Sequence, residues 1–205
     1  MLQTQTVSLQ LLELLKAIMR EESFAGFALA GGTSLALQTG HRNSIDIDLF
    51  GKSEINKDLF SDILNSFGNV VILQSSKNIL ILKVDAVKID FVNNQHPLLE
   101  DILIIDGVRL FSKKDIAAMK LNAILGRGSK KDFIDLYFLL QEFSLKEMIA
   151  FYNQKYADGS EFLVLKSLTY FDDADLQPEP VMYADFDWEL CKEKITSEFN
   201  KFILK

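Results

Sequence analysis

The sequence predicts an α+β protein, a mixed β-sheet flanked by helices and followed by a C-terminal helical domain. Three observations predict it. Short β-rich runs bounded by turn signals alternate with amphipathic helices as far as residue 111. From Ser112 onward the hydrophobic period is helical. The 205 residues, 48% hydrophobic and 25% charged with three prolines, are enough to bury a core in one or two small domains. The expected domains are 1–111, an α/β core, and 112–205, a helical domain.

Each element has a local reason. Residues 7–22 read as an amphipathic helix, with Leu11, Leu12, Leu14, Leu15, Ile18 and Met19 at helical spacing and Glu13, Lys16 and Arg20 off that stripe. Gly26 to Ala30 is a short apolar run expected as a strand, ending at Gly31-Gly32. Thr33 to Thr39 follows as a short helix. Ile45 to Phe50 alternates strictly and is the clearest strand. Ile55 to Phe67 is a second amphipathic helix. Val70–Leu73, Ile79–Val84 and Val87–Val92 are β-rich, and Ile102–Ile105 is a further short strand closed by the Asp106-Gly107 turn signal. Ser112-x-x-Asp115 and Ser144-x-x-Glu147 read as helix starts, because hydroxyl and carboxylate can satisfy free backbone N–H groups. Helices are expected near 113–126, 130–141, 145–155 and 159–170. An acidic connector holding Pro178 and Pro180 then leads to a last helix from Trp188 to Leu204.

Composition excludes several classes of function. No apolar run reaches the ~18 residues of a membrane span, and the N-terminal stretch lacks the pattern of a signal peptide. One cysteine, Cys191, excludes an internal disulfide framework and a zinc site built on several cysteines. A cytoplasmic protein without membrane partners is expected. The net charge of −7 argues against bulk attraction to nucleic acid. The charge is uneven, however. Lys113, Lys114, Lys120, Arg127, Lys130 and Lys131 share their segment with one acid, Asp115, whereas residues 172–189 hold seven acids and no base. The basic segment could bind phosphates locally. The acidic one is either a solvated connector or a contact for a basic partner.

The chemistry is concentrated between Gly31 and Asp90. Gly31-Gly32-Thr33-Ser34 allows close backbone approach at a helix start, where free N–H groups can cradle a triphosphate. Asp46 and Asp48 are two apart on a strand and project from one face, while Ile45, Ile47 and Leu49 are expected to face the core. Two such carboxylates repel unless a cation joins them, and Mg²⁺ favours one or two carboxylates plus substrate phosphates. Asp90, with Lys88 on its own face, can join them if its strand lies beside Ile45–Phe50. Three acids from two adjacent strands suit one or two metals in phosphoryl transfer. Taken singly, an Asp-x-Asp is a common solvated strand face and Gly-Gly-Thr a common turn. Their order and spacing together favour a nucleotide site.

The fuller pattern resembles a known family. The run Gly31-Gly32-Thr33-Ser34-Leu35-Ala36-Leu37 opens it. His41-Arg42-x-Ser44-x-Asp46-Ile47-Asp48-Leu49-Phe50, Lys88-Ile89-Asp90-Phe91, Lys120-Leu121-x-Ala123 and Arg127-x-x-x-Lys131-Asp132-Phe133-x-Asp135-Leu136 follow. Together they resemble the AbiEii/AbiGii toxin family, within the DNA polymerase β-like nucleotidyltransferase superfamily. The resemblance implies a nucleotidyltransferase fold and a bacterial protein, the toxin of a toxin–antitoxin or phage-defence pair. It implies transfer of a nucleoside monophosphate from an NTP, with Mg²⁺ or Mn²⁺, to an acceptor such as the end of a tRNA, and an antitoxin as protein partner. Asp46 and Asp48 match the metal-binding pair, and Asp90 the third acid. Arg42 and Ser44 match the polar positions before the pair. Lys120 matches a lysine expected on the NTP phosphates, with Arg127 beside it in a basic loop. Asp132 or Asp135 matches a later functional acid. Lys131 departs from the arginine frequent at its position, keeping the charge but losing the bidentate fork. The helical domain is expected to complete the active-site cleft.

Other readings accompany these. Lys120 alone would be a solvated helix lysine, and Asp132 and Asp135 first-turn acids favoured by the helix dipole. His41 and His96 lack a second histidine at metal spacing. Cys191 reads as structural, and Tyr170, Phe171, Tyr183, Phe186 and Trp188 as core. The rival functions are a small-molecule nucleotidyltransferase and a non-catalytic binding module that keeps the fold.

Overall fold

Alternating apolar residues on short strands need a second layer to cover them, and in a computed structural model describing residues 1–204 that layer is helical. The strands are β1 (Phe27–Leu29), β2 (Asp46–Gly51), β3 (Val70–Ser75), β4 (Ile79–Val84), β5 (Val87–Asn93), β6 (Leu103–Ile105) and β7 (Val108–Leu110). They form one seven-stranded sheet in the order β3-β4-β5-β2-β1-β7-β6. β2 pairs parallel with β5, and β1 parallel with β7; every other pairing is antiparallel. The first compact unit comprises Met1–Gln95 and Ile102–Phe111. The second comprises His96–Asp101 and Ser112–Lys205.

The first unit contains α1 (Leu9–Arg20), α2 (Gly31–Thr39) and α3 (Lys57–Asn65). α1 starts at Ser8, whose side chain accepts the Leu11 N–H, and it buries Leu11, Leu14, Leu15, Ile18 and Met19. The predicted span of 7–22 is trimmed at both ends because Ser8 caps it and a short 3-10 turn, Glu22–Phe24, takes over after Glu21. Ile47, Leu49, Leu80, Leu82, Ile89 and Phe91 join the stripe of α1 in one core, together with Phe60 and Leu64 of α3. Phe24, Phe27, Phe60 and Phe91 meet there with ring centroids 4.9–5.9 Å apart, mostly edge to face. Arg109 ties three chain segments together, its guanidinium donating to the carbonyls of Met19 (2.8 Å), Phe24 (3.0 Å) and Phe27 (2.8 Å).

Two expectations change here. Ile45 is not in the core; it is 59% exposed, because β2 begins one residue later at Asp46. β7 was not predicted, although its cause is visible: Asp106 and Gly107 both take positive φ, as a two-residue hairpin turn requires, so a strand must return beside β6.

The second unit contains α4 (Lys113–Gly126), α5 (Lys130–Leu139), α6 (Leu145–Lys155), α7 (Glu161–Ser167), α8 (Asp172–Asp175) and α9 (Trp188–Ile203). Ser112 caps α4 as predicted, and Ser144 with Glu147 forms a full capping box on α6. α7 is shorter than expected because Ser160 caps it, and α8 is an unpredicted single turn within the acidic stretch. Among the described residues no helix is long and apolar enough to cross a membrane. Cys191 is buried, with its Sγ 3.7 Å from the Phe133 carbonyl, and burial pushes its thiol pKa up. Phe171 and Trp188 pack on Phe133, and Phe186 stacks on Phe138. Tyr170 and Tyr183, expected in the core, are 52% and 50% exposed.

His96–Asp101 joins the helices because of one fully buried ion pair. Asp115 accepts from Lys155 Nζ (2.7 Å), the Ser112 hydroxyl (2.7 Å), and the backbone N–H groups of Leu99 (3.0 Å) and Glu100 (3.3 Å). Lys155 also donates to the Pro97 carbonyl at 2.8 Å. Removing one partner strands a buried charge. Asp115→Ala is therefore expected to destabilise the protein by about 3–5 kcal/mol, measured as the shift in urea unfolding, whereas Asp115→Leu combined with Lys155→Met recovers only part of that loss, because the Leu99 and Glu100 N–H groups and the Pro97 carbonyl stay without partners.

Candidate active site

The side chains on one face of β2 and β5 belong to the core, so their alternates share the other face. The parallel register sets Asp48 beside Asp90 and Asp46 beside Lys88. The adjacency needed for the three acids to meet is thus present, and it is a consequence of burying Ile47, Leu49, Ile89 and Phe91. Lys88 Nζ donates to Asp90 Oδ2 at 2.7 Å, with the two side chains 35% and 18% exposed. Asp90 Oδ1 is buried and has no hydrogen-bond partner.

α2 begins beside these acids. Gly31 adopts φ +65°, and a Cβ built on it would lie 2.6 Å from Asp48 Oδ2. The glycine is needed both for its backbone conformation and for the space the carboxylate occupies. The helix starts two residues earlier than predicted, at Gly31 itself, so the first-turn N–H groups, which lack partners within a helix, belong to the glycines and Thr33. Thr33 and Ser34 are buried. The Thr33 hydroxyl donates to the Asp46 carbonyl and lies 2.7 Å from the Ser44 hydroxyl. Ser34 Oγ accepts from Gln38 at 3.1 Å. These two hydroxyls therefore fasten α2 to β2 and to its own next turn. Arg42 is buried too, donating to the Asn43 carbonyl at 2.8 Å, and His41 Nδ1 lies 2.6 Å from the Thr39 hydroxyl.

The remaining candidates lie in the helical unit and form a cluster of their own. Lys120 is 4% exposed, not a solvated helix lysine. Its ammonium is 3.0 Å from Asp132 Oδ1 and 2.6 Å from Asp135 Oδ2. Asp132 also accepts from Arg127 Nε (2.8 Å), Arg127 NH2 (3.0 Å) and Ser129 Oγ (2.6 Å). Both acids thus serve the same lysine, and the resemblance's choice between them has no counterpart in the packing. Burial alone would raise the Asp132 pKa. The Lys120 charge, the Arg127 hydrogen bonds and charge, and the Ser129 hydroxyl outweigh it and hold the carboxyl well below the usual carboxylate range.

The basic segment is largely neutralised. Lys113 pairs with Glu142, Lys114 with Glu100, and Lys120 and Arg127 with the acids above. Lys130 is buried, its ammonium 5.0 Å from the centroid of the Trp188 ring. The surface it offers to a polyanion is smaller than the sequence suggests. In the acidic stretch, Asp175 accepts from Trp188 Nε1 and Lys192 Nζ.

Sequence reasoning missed two interactions. The Lys88–Asp90 pair had a signal, the i, i+2 spacing on a strand. The Asp115–Lys155 pair had none, since forty positions separate its members. Among the described residues no three His, Cys, Asp or Glu side chains form a ready metal cluster. The oxygen donors still fit a hard cation: Asp48 and Asp90 are register neighbours, Asp46 shares their face, and Asp90 Oδ1 is a buried acceptor with no donor.

Two outcomes are expected. Gly31→Ala forces Asp48 aside and strains the backbone, so transfer activity should fall at least about tenfold with the fold intact by circular dichroism. Asp132, lowered in the folded state, stabilises the protein above the unfolded carboxyl pKa of about 3.9 and loses that effect as the pH falls toward its folded value. The melting-temperature gap between wild type and Asp132→Asn should stay constant from pH 7 to about 4.5 and narrow below about 4.

Comparison with known proteins agrees with the fold and the family resemblance. The family model for the nucleotidyl transferase AbiEii toxin, type IV TA system, matches residues 13–203. The protein aq_aa25 of Aquifex aeolicus is 37% identical over 189 residues, covering 86% of this chain and 88% of its own. JHP933 from Helicobacter pylori superposes with a TM-score of 0.60 at 17% identity, over 94% of this chain and 88% of that one. MenT4, a nucleotidyltransferase toxin from Mycobacterium tuberculosis, gives 0.59 at 13% identity, over 93% and 82%. The expected nucleotidyltransferase fold is therefore the one found. With its family model spanning nearly the whole sequence, the chain belongs to the AbiEii nucleotidyl transferase toxin family of type IV toxin–antitoxin systems, and it is a nucleotidyltransferase.

Proposed function

We propose that this enzyme moves a nucleoside monophosphate from an NTP to the end of an RNA, a tRNA in particular, as the toxin of a pair whose antitoxin restrains it. The observation that carries the nucleotidyl-transfer site is the pairing of Asp48 with Asp90 on neighbouring parallel strands, beside the glycine start of α2. Asp46, Asp48 and Asp90 would hold Mg²⁺ or Mn²⁺. Bound there, the ion would neutralise phosphate charge and stabilise the leaving pyrophosphate. The backbone N–H groups of Gly31 and Gly32 would receive the phosphates, with the α2 dipole favouring their charge. Thr33, Ser34, Arg42 and Ser44 enter as supports that fix α2 and β2, since their polar groups are engaged within the protein. Lys120, Arg127, Asp132 and Asp135 enter as positioning residues of the helical unit, because the two acids hold the lysine.

The RNA acceptor rests on the family resemblance, with little help from charge. The net charge is −7, and most of the basic segment is ion-paired. That neutralisation favours one second reading, a small-molecule acceptor. The test uses purified protein, Mg²⁺ and each α-phosphate-labelled NTP, with and without total bacterial RNA. Label in an RNA band that vanishes in Asp48→Asn, with a fall of about 10³-fold or more, is the expected outcome. Label that never reaches RNA but appears on a small molecule from a cell extract would move the acceptor to the second reading. Undiminished transfer by Asp48→Asn would sink the site.

A further inference from the structure

Lys88 has no role in the chemistry above, yet it stands among the acids. Its backbone is the register neighbour of Asp46 on one side and of Lys83 on the other. Residues directly opposite on neighbouring strands share a face, so Lys83 and Lys88 are like charges side by side, which repel. Lys83 is exposed, whereas Lys88 leans along its own strand to Asp90 Oδ2. The third acid therefore has one oxygen already held by a cation of the chain and the other buried without a donor.

We infer that Lys88 is a built-in counter-cation of the acid set, which holds Asp90 in its place when no divalent ion is bound and competes with that ion for the carboxylate. This inference rests on the metal reading of Asp46, Asp48 and Asp90. Three carboxylates on one sheet face would repel each other in the free enzyme, and Lys88 offsets that repulsion. The same positive charge opposes a divalent ion entering beside it, so the free enzyme holds the ion more weakly than its three acids alone would. Asp46 is the backbone neighbour of Lys88, but the ammonium is drawn along its own strand to Asp90, so the opposition falls chiefly on binding that uses Asp90.

The test is Mn²⁺ binding to the full chain without nucleotide, read from the electron paramagnetic resonance signal of free Mn²⁺. Lys88→Met, which keeps the length of the stem and loses the charge, should bind Mn²⁺ about tenfold or more tightly than wild type. Lys88→Arg should bind as wild type does. The gain should disappear when Asp90→Asn is combined with Lys88→Met. A lysine that merely braces the strand would alter the melting temperature and leave the isotherm alone. Should Lys88→Met not fold, Lys88→Gln replaces it with the same expectation. Equal isotherms for the neutral variant and wild type, with Asp48→Asn still weakening binding, would overturn the role of Lys88 and leave the metal site standing. An isotherm unchanged by Asp48→Asn would overturn the metal site itself.

Discussion

Parallel pairing of β2 with β5 fixes what the first unit can do, and the register of that pairing is set from the opposite face of the sheet. Ile47, Leu49, Ile89 and Phe91 are fully buried, each stabilising the fold by about 1.5–3 kcal/mol. A slip of one residue would turn a whole strand over, exposing its apolar side chains and burying Asp46 and Asp48. Such a loss rivals the total stability of an ordinary domain. Asp48 and Asp90 are neighbours because the core leaves no other register. The chemistry of the site needs no strain in these two strands; the special backbone is at Gly31, where a positive φ is open to glycine without strain and the Asp48 carboxylate takes the place of a side chain.

The helical unit solves a different problem. It buries three lysines; Lys120 is paired with two carboxylates and Lys155 with one, while Lys130 lies over the Trp188 ring. Buried ion pairs add little net stability compared with well-packed apolar residues, but they penalise any arrangement that separates the partners. Asp115 with Lys155 fixes the segment His96–Asp101 against α4 and α6 through backbone contacts that apolar side chains could not make. Lys120 with Asp132 and Asp135 fixes α4 against α5, and Arg127 and Ser129 satisfy the remaining oxygens of Asp132. Such pairs specify one packing among several that would bury similar apolar area.

What the sequence made legible follows from the range of each interaction. Ser112 and Ser144 cap helices through contacts three residues away, and α4 and α6 have the predicted bounds. The alternation in β2 and β5 identified the face carrying Asp46, Asp48 and Asp90, since strand geometry alone decides it. β7 was missed because Val108–Leu110 is too short to show a period, and only its pairing with β1 and β6 makes it a strand. The buried state of Lys120 was illegible for a similar reason: its partners are twelve and fifteen positions away, on the next helix. Tyr170 and Tyr183 misled because aromatic character signals burial only on average, and both lie near exposed acidic chain.

Charge placement then constrains how a polyanionic substrate can be held. The chain carries −7 overall, and its densest basic segment is mostly turned to internal or neighbouring carboxylates. Long-range attraction cannot draw a triphosphate to three acids on a sheet face; at physiological salt the Debye length is only about 8 Å. In the proposed site, recognition would be made at contact distance, by the first N–H groups of α2 and by a cation that both partners share. A divalent ion arriving with the nucleotide meets that need, because it cancels the repulsion it would otherwise have to overcome. On that view weak metal binding by the three acids alone would be useful: an enzyme that takes its ion only when the nucleotide brings the second set of oxygen ligands does not hold an ion idle. Lys88, paired with Asp90, would be the counter-charge that such an ion displaces.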